Sequence, residues 1–154
     1  MILVDAGALV ALIDGSDEHH RRCVAALREL REPLLTVWPA VTTSLCRLED
    51  VPEGQQGVLE MLRRGAVRLA PLAQEDVSRV QELMARYRDR AMDLSDAALV
   101  RIAERDGLDR IFTVNRRAFE VYRIGRRRAF RIVPERPAGR RRARRRAAVR
   151  RRRP

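Results

Sequence analysis

The sequence predicts an α/β fold in which a central, mostly parallel sheet of four to five strands is flanked by helices. Three observations support this prediction. Short apolar runs of strand length recur along the chain, longer segments with helical spacing of apolar residues lie between them, and turn-forming residues separate the two. Strands that alternate with helices form βαβ units, and the crossovers of such units produce parallel sheets.

The first half of the chain begins with the most apolar of the predicted strands. Residues 2–4 form an apolar run typical of a strand in the middle of a parallel sheet, and a short helix is predicted at 8–13. A turn then precedes a helix over about 18–31, which ends before a proline. A β-type run occupies 34–37, and Pro39 fits the first turn of a helix that extends to about residue 50.

The second half continues the alternation. Apolar residues at helical spacing between 74 and 90 predict a long amphipathic helix. Gly107 fits a left-handed C-cap for the helix that starts near Asp93. The remaining predicted elements are a helix at 55–64 and strands at 67–69, 110–114 and 130–133.

Positive charge is concentrated at the C-terminus. The 154 residues include 33 basic and 21 acidic ones, which gives a formal net charge of +12. Ten of the basic residues and none of the acidic ones lie in 138–154, which leaves 23 basic against 21 acidic residues elsewhere. We predict one domain at 1–134 and a disordered Arg-rich tail at 135–154. The partner expected for the tail is nucleic acid, bound through salt-sensitive phosphate contacts.

Several function classes are excluded by features that the sequence lacks. Two cysteines are too few for a disulfide framework, and the N-terminus has no signal-peptide pattern, so a cytoplasmic protein without a membrane partner is expected. There is no glycine fingerprint for a dinucleotide, no phosphate-binding loop with its lysine, and no nucleophile elbow. Carboxylates are the remaining chemical resource.

Two of these carboxylates, Asp93 and Asp96, stand where a loop becomes a helix. Their spacing places both side chains on one face of the first turn. One interpretation is a variant of the capping box, in which the Asp93 side chain caps the helix and the Asp96 side chain bonds back to the Asp93 backbone N–H. The other is a functional site, if acids from elsewhere reach the same place. Asp5 follows the first strand, where open α/β sheets place their sites, but the sequence leaves open which edge the Asp93 helix approaches.

Four segments together resemble the PIN-domain nucleases, in particular the VapC-type toxins. In chain order they are Val4–Leu9, Trp38–Thr43, Asp93–Glu104 and Thr113–Phe119. The resemblance extends in order and spacing over roughly residues 1–134. It implies a PIN-like three-layer sandwich and a metal-dependent RNA endonuclease that hydrolyses phosphodiester bonds. It also implies a cognate antitoxin and a homodimer.

The resemblance places the site at Asp5, Thr43, Asp93, Asp96 and Asn115. Asp5 and Asp96 are the expected metal ligands, and Asp93 is either a ligand or an orienter of water. Carboxylates crowded at one sheet edge repel one another unless a hard cation neutralises them. Mg²⁺, with Mn²⁺ as an alternative, suits such oxygen ligands and retains waters that can react with a phosphate.

Two positions depart from the family pattern. Thr43 stands where the pattern carries Glu, and Asn115 stands where it usually carries Asp. Two negative charges are therefore missing, which weakens the case for a second metal ion. Glu49 lies six residues after Thr43, about 240° further round a helix, so it should face away from the site and cannot replace the missing acid.

Three functions remain open at this point. The first is an RNA endonuclease of the VapC toxin type. The second, favoured by Thr43 and Asn115, is a catalytically weakened PIN fold that acts as an RNA- or antitoxin-binding module. The third is a small-molecule-binding α/β domain, which predicts an apolar pocket in place of an acidic cleft.

Overall fold

The computed structural model describes residues 1–135 of the chain. The predicted tail at 135–154 therefore lies, apart from Glu135, outside the described residues. Within them the strands are β1 (Ile2–Val4), β2 (Leu34–Thr36), β3 (Val67–Leu69), β4 (Arg110–Phe112), β5 (Arg123–Ile124), β6 (Arg128–Ala129) and β7 (Arg131–Val133). Five of these strands form one sheet in the order β3-β2-β1-β4-β7, and every pairing in it is parallel. The predicted sheet is confirmed.

Helices connect the strands. They are α1 (Ala6–Ile13), α2 (His20–Glu29), α3 (Trp38–Arg47), α4 (Gly54–Arg63), α5 (Val77–Arg86), α6 (Leu94–Asp106) and α7 (Arg116–Phe119). Two short 3₁₀ segments, Gln74–Asp76 and Arg88–Arg90, flank α5. No helix within residues 1–135 is long and apolar enough to cross a membrane.

The two faces of the sheet bury different helices. Leu3 and Ile111 pack into a cluster with apolar residues of α5 and α6, whereas Ile2, Val4 and Phe112 pack against α1 and α2. Neighbouring strand residues point to opposite faces, so an apolar run with no polar alternation is buried on both sides. This arrangement confirms the predicted three layers.

Several predicted boundaries are wrong, and most have a local cause. The first helix begins at Ala6 instead of residue 8, because the Asp5 side chain caps it directly. The third helix ends at Arg47, short of residue 50. The predicted helix over 74–90 is divided, because the Asp76 side chain accepts the Ala73 N–H at 3.0 Å and holds the entry as a 3₁₀ turn. The antiparallel pair β5–β6 is absent from the prediction.

The sheet brings distant segments to one edge. Asp5 follows the carboxyl end of β1 and Thr113 follows that of β4, the parallel neighbour of β1. The helix α3 begins directly after β2, and the start of α6 reaches the same edge, where Asp93 and Asp96 line a cleft with Asp5. The edge approached by the Asp93 helix, which the sequence left open, is therefore the edge that carries Asp5.

Candidate active site

Asp5 is a buried carboxylate held by two hydrogen bonds. The residue is 4% exposed, and its Oδ1 accepts the backbone N–H of Ala8 at 2.8 Å. Its Oδ2 accepts the hydroxyl of Thr113 at 2.5 Å. Burial raises the pKa of Asp5 to about 6, although both hydrogen bonds act in the opposite direction. Asp5 therefore caps α1 and also presents a carboxylate whose charge is poorly solvated.

Thr113 is a functional candidate that the sequence analysis quoted but gave no role. Its Oγ1 accepts the backbone N–H of Asn115 at 2.8 Å and donates to Asp5. Because the Asn115 N–H approaches the hydroxyl oxygen, the hydroxyl proton is left to point at the carboxylate. The position of Thr113, the first polar residue after the apolar end of β4, was the signal that could have identified it.

Asp93 and Asp96 stand at the start of α6 but make different contacts. Asp93 is exposed, and its Oδ1 accepts the Asp96 backbone N–H at 2.8 Å, so the predicted cap is confirmed. Asp96 does not complete a capping box, because its Oδ2 accepts the hydroxyl of the buried Tyr122 at 3.0 Å. The capping interpretation is therefore right for Asp93 and wrong for Asp96.

The environment of Asp96 disfavours its ionised form. Burial, as the largest cause, and the neighbouring charge of Asp93 together raise its pKa to about 7, against the opposing effect of the Tyr122 hydrogen bond. Asp5 adds a smaller repulsion from across the cleft. Strong perturbation by burial and by like charge is typical of functional carboxylates.

One open cleft collects every site residue named from the sequence. Asp5, Asp93, Asp96, Thr43 and Asn115 all line it, and its volume is about 350 Å³. Its other lining residues are Ala6, Gly7, Arg47, Ala91, Ser95 and Val114. With three carboxylates among its residues, this cleft is not the apolar pocket that the small-molecule interpretation requires.

The two departures from the family pattern leave neutral groups in the cleft. Thr43 is half-buried on α3, and its hydroxyl donates to the Pro39 carbonyl oxygen at 3.0 Å. Asn115 is exposed, and its backbone N–H is bonded to Thr113. Glu49 lies beyond the end of α3 and outside the residues that line the cleft, so it does not replace the missing acid.

The donor set fits a hydrated hard cation better than an enclosed one. Within residues 1–135, no group of three or more His, Cys, Asp or Glu side chains is close enough to form a ready cage for a metal ion. Mg²⁺ retains several waters and needs only one or two carboxylates, a requirement that the cleft meets. The buried Ser95 hydroxyl, which lines the cleft and lacks a hydrogen-bond partner in the described part of the chain, also suits a polar occupant.

Comparison with known proteins identifies the family. The sequence model of the PIN domain matches residues 2–125. The chain belongs to the PIN-domain family. This PIN domain is also 29% identical over 125 residues to ribonuclease VapC26 of Mycobacterium tuberculosis, and the match covers 79% of this chain and 92% of that protein.

A solved structure supports the fold independently. The crystal structure of Mycobacterium tuberculosis VapC20, described as a sarcin-ricin loop cleaving toxin, matches with a TM-score of 0.64 at 16% identity. The match covers 72% of this chain and 87% of VapC20. At that identity the similarity concerns the fold, and it agrees with the PIN-like sandwich predicted from the sequence.

Proposed function

We propose that this PIN domain is an RNA endonuclease of the VapC toxin type, which hydrolyses phosphodiester bonds with the help of a divalent cation. The observation that carries the proposal is the convergence of Asp5, Asp93 and Asp96 on one open cleft. None of the three has a basic side chain within ion-pair distance in residues 1–135. Family membership and the similarity to a ribonuclease support the same conclusion.

The roles proposed for the acids follow from their contacts. Asp5 and Asp96 are the proposed metal ligands, and Asp93 is a third ligand or an orienter of bound water. A bound Mg²⁺, or Mn²⁺ as an alternative, would lower the pKa of a coordinated water and stabilise charge on the phosphate. Thr113 fixes the Asp5 carboxylate and Tyr122 fixes that of Asp96, so both acids are oriented by neighbours from later in the chain.

The neutral residues of the site are proposed to serve the substrate. The amide of the exposed Asn115 can donate to a phosphate oxygen or accept from a water. The hydroxyl of Thr43 is engaged by Pro39, so its remaining capacity is as an acceptor for water. Neither carries the charge of the usual acid, which favours one hydrated cation over a pair.

The proposed partners are RNA, a cognate antitoxin and a second copy of the chain. RNA is the substrate of the proposed activity, and the excess of arginine in 138–154 adds a charge that attracts phosphates. The antitoxin and the homodimer follow from the proposed toxin type.

The proposal is tested by Mg²⁺ calorimetry alongside cleavage of a mixed RNA pool. Wild type should bind the ion and cleave, and Asp96→Asn should lower cleavage at least ~100-fold, since even the loss of a residue that only supports a metal ligand commonly costs 10–100-fold. Asp50→Asn is the matched control, because Asp50 is exposed and lies outside the cleft.

Two results would contradict parts of this proposal. Equal cleavage by Asp96→Asn and wild type would remove Asp96 from the site. A wild-type chain that neither binds Mg²⁺ nor cleaves RNA would support the alternative, a weakened PIN fold that acts as an RNA- or antitoxin-binding module. The observation that favours this alternative is the presence of the neutral Thr43 and Asn115 where the family pattern has acids.

A further inference from the structure

A positively charged side chain also lines the acidic cleft. Arg47 is the last residue of α3, one helical turn after Thr43, and its side chain is exposed. Within residues 1–135 its guanidinium makes no hydrogen bond and no ion pair shorter than 4 Å. It nevertheless acts electrostatically on Asp5, favouring the ionised carboxylate. Arg47 therefore faces the cleft with its donors unused by any residue in the described part of the chain.

Gly7 keeps the space between Arg47 and Asp5 open. A Cβ atom added to Gly7 would lie 3.6 Å from Arg47 Nη1 and 3.6 Å from Asp5 Oδ1. The same atom would lie 2.8 Å from Val114 Cγ2, closer than such atoms approach. A larger residue at position 7 would thus occupy the gap that now separates the cation from the carboxylate.

Other arginines of the chain form ion pairs with nearby acids, whereas Arg47 forms none within residues 1–135. Arg101 and Arg105 both bond the buried Asp76, at 2.7 and 3.0 Å. Arg79 bonds Glu104 through two nitrogens, at 2.9 and 2.8 Å. Arg47 remains apart from Asp5, so a ligand can reach the guanidinium from the open side of the cleft.

The charge balance of the cleft indicates what this ligand is. Three carboxylates with one bound divalent cation leave one net negative charge, which repels a phosphodiester. A second divalent cation is a poor source of the positive charge needed to offset this, because Thr43 and Asn115 are neutral and give it no further carboxylate to bind. A guanidinium supplies it, and its planar fork matches two oxygens of a phosphate.

We propose that Arg47 is a phosphate-binding residue of the cleft, whose guanidinium holds the non-bridging oxygens of the phosphodiester that lies against Asp5, Asp93 and Asp96. This inference rests on the proposed nuclease function. In this role Arg47 provides a positive charge next to the reacting phosphate, which the carboxylates cannot do.

The proposal differs measurably from a purely structural role. A phosphate-binding Arg47 contributes to RNA affinity and opposes binding of a cation to the same cleft. Its removal should therefore weaken RNA binding while leaving Mg²⁺ binding unchanged or tighter. An arginine that only supports the fold would weaken both together and lower the melting temperature.

The experiment uses the full chain with an Arg47→Met substitution. RNA affinity is measured by fluorescence anisotropy with a short single-stranded RNA, in an Asp96→Asn background that keeps the RNA intact. Raised salt reduces the contribution of distant arginines. The matched control is Arg68→Met in the same background, because Arg68 is exposed on the edge strand β3 and lies outside the cleft. Mg²⁺ affinity is measured by calorimetry on RNA-free protein with Asp96 intact.

We expect Arg47→Met to weaken RNA binding about tenfold relative to Arg68→Met, the size of a charge-assisted hydrogen bond, and Arg47→Lys to restore part of the loss. Equal RNA affinity in the Arg47 and Arg68 variants would overturn the proposal. A parallel loss of Mg²⁺ affinity and thermal stability in Arg47→Met would overturn it as well. Failure of the nuclease function is recognised separately, by the absence of cleavage in wild type.

Discussion

Buried and half-buried carboxylates occur in two regions of this PIN domain, and their surroundings shift the carboxylate pKa in opposite directions. One region is the cleft, with Asp5 and Asp96. The other lies between α5 and α6 and is here called the arginine cluster; it comprises Asp76, Glu104, Arg79, Arg101 and Arg105. The comparison separates acids that support the fold from acids that are held ready for a ligand.

In the arginine cluster the acids are fully paired. Asp76 is 4% exposed, and the Ala73 N–H together with Arg101 and Arg105 lowers its pKa. Burial alone would raise the pKa of Glu104, yet its bonds from Arg79 and from the Gly125 N–H bring it below the usual value. Buried charges that are paired and hydrogen-bonded in this way stay ionised.

In the cleft the balance is reversed. The pKa of Asp5 is raised to about 6 and that of Asp96 to about 7, and burial is the largest cause for both. The chain has 33 basic residues, so the missing ion pairs do not reflect a shortage of cations. The cleft keeps its carboxylates at the expense of stability, which is expected where a ligand provides the neutralising charge.

The largest expected difference is in stability, between Asp76→Asn and Asp96→Asn. Asp76→Asn should lower the free energy of unfolding by about 3 kcal/mol, because it leaves Arg101 and Arg105 without their buried partner. The melting temperature should fall by about 10 °C. Asp96→Asn should leave the melting temperature unchanged or raise it, since this substitution removes a poorly solvated carboxylate. Calorimetry of both variants measures this contrast, which would be broken by equal destabilisation.

A smaller effect is expected from pH. Asp5 and Asp96 titrate at about 6 and about 7 in the folded chain against a usual value of 3.8, so the native state binds more protons between these limits. The contribution of these two carboxyl groups to the free energy of unfolding is therefore fully present below about pH 4, where both are protonated. It is lost as the pH rises through 6 to 7 and they ionise in the folded chain. In a chelator, the melting temperature should fall between pH 5 and pH 8 by less in Asp96→Asn than in wild type. Identical profiles for the two proteins would count against the raised pKa of Asp96.

The smallest expected effect comes from restoring one missing acid. Thr43→Glu places a carboxylate on α3 at the cleft and should raise Mg²⁺ affinity roughly tenfold, with a faster cleavage rate, because the cation meets one more negative charge. Thr42→Glu is the matched control, since its side chain is exposed and lies outside the cleft. No change in affinity or rate for Thr43→Glu would mean that the lost charge does not limit the site.

Local features were predictable from the sequence where the cause is local. The apolar run of β1 followed by Asp5, the cap at Asp93 and the left-handed Gly107 all depend on neighbouring residues, and the structure contains each of them. The helix over 74–90 was predicted too long, because the bond from the Ala73 N–H to the Asp76 side chain holds 74–76 as a 3₁₀ turn, and Asp76 is itself held by Arg101 and Arg105 from the distant helix α6.

The orientation of the site could not be predicted for the same reason. Thr113 reaches Asp5 across 108 positions of sequence, and Tyr122 reaches Asp96 across 26. No periodic pattern marks such pairs, since they depend on how the chain returns to the sheet edge. The strands β5 and β6 have two residues each, too few to show an alternating pattern. Positions after the first strand and at a helix start marked Asp5, Asp93 and Asp96 as candidates, and the family resemblance assigned them roles together with Thr43 and Asn115. The structure brings all five to one cleft.

The double engagement of Asp5 has a consequence for how inactive forms of this protein are made. Its Oδ1 holds the first turn of α1, while its other oxygen is held by Thr113, the residue directly after β4. Alanine at this position would remove the helix cap and the Thr113 hydrogen bond together, so loss of activity in Asp5→Ala would not distinguish lost chemistry from a destabilised fold. Asparagine keeps an oxygen for Ala8 and removes the charge, which makes it the substitution that separates lost chemistry from lost architecture.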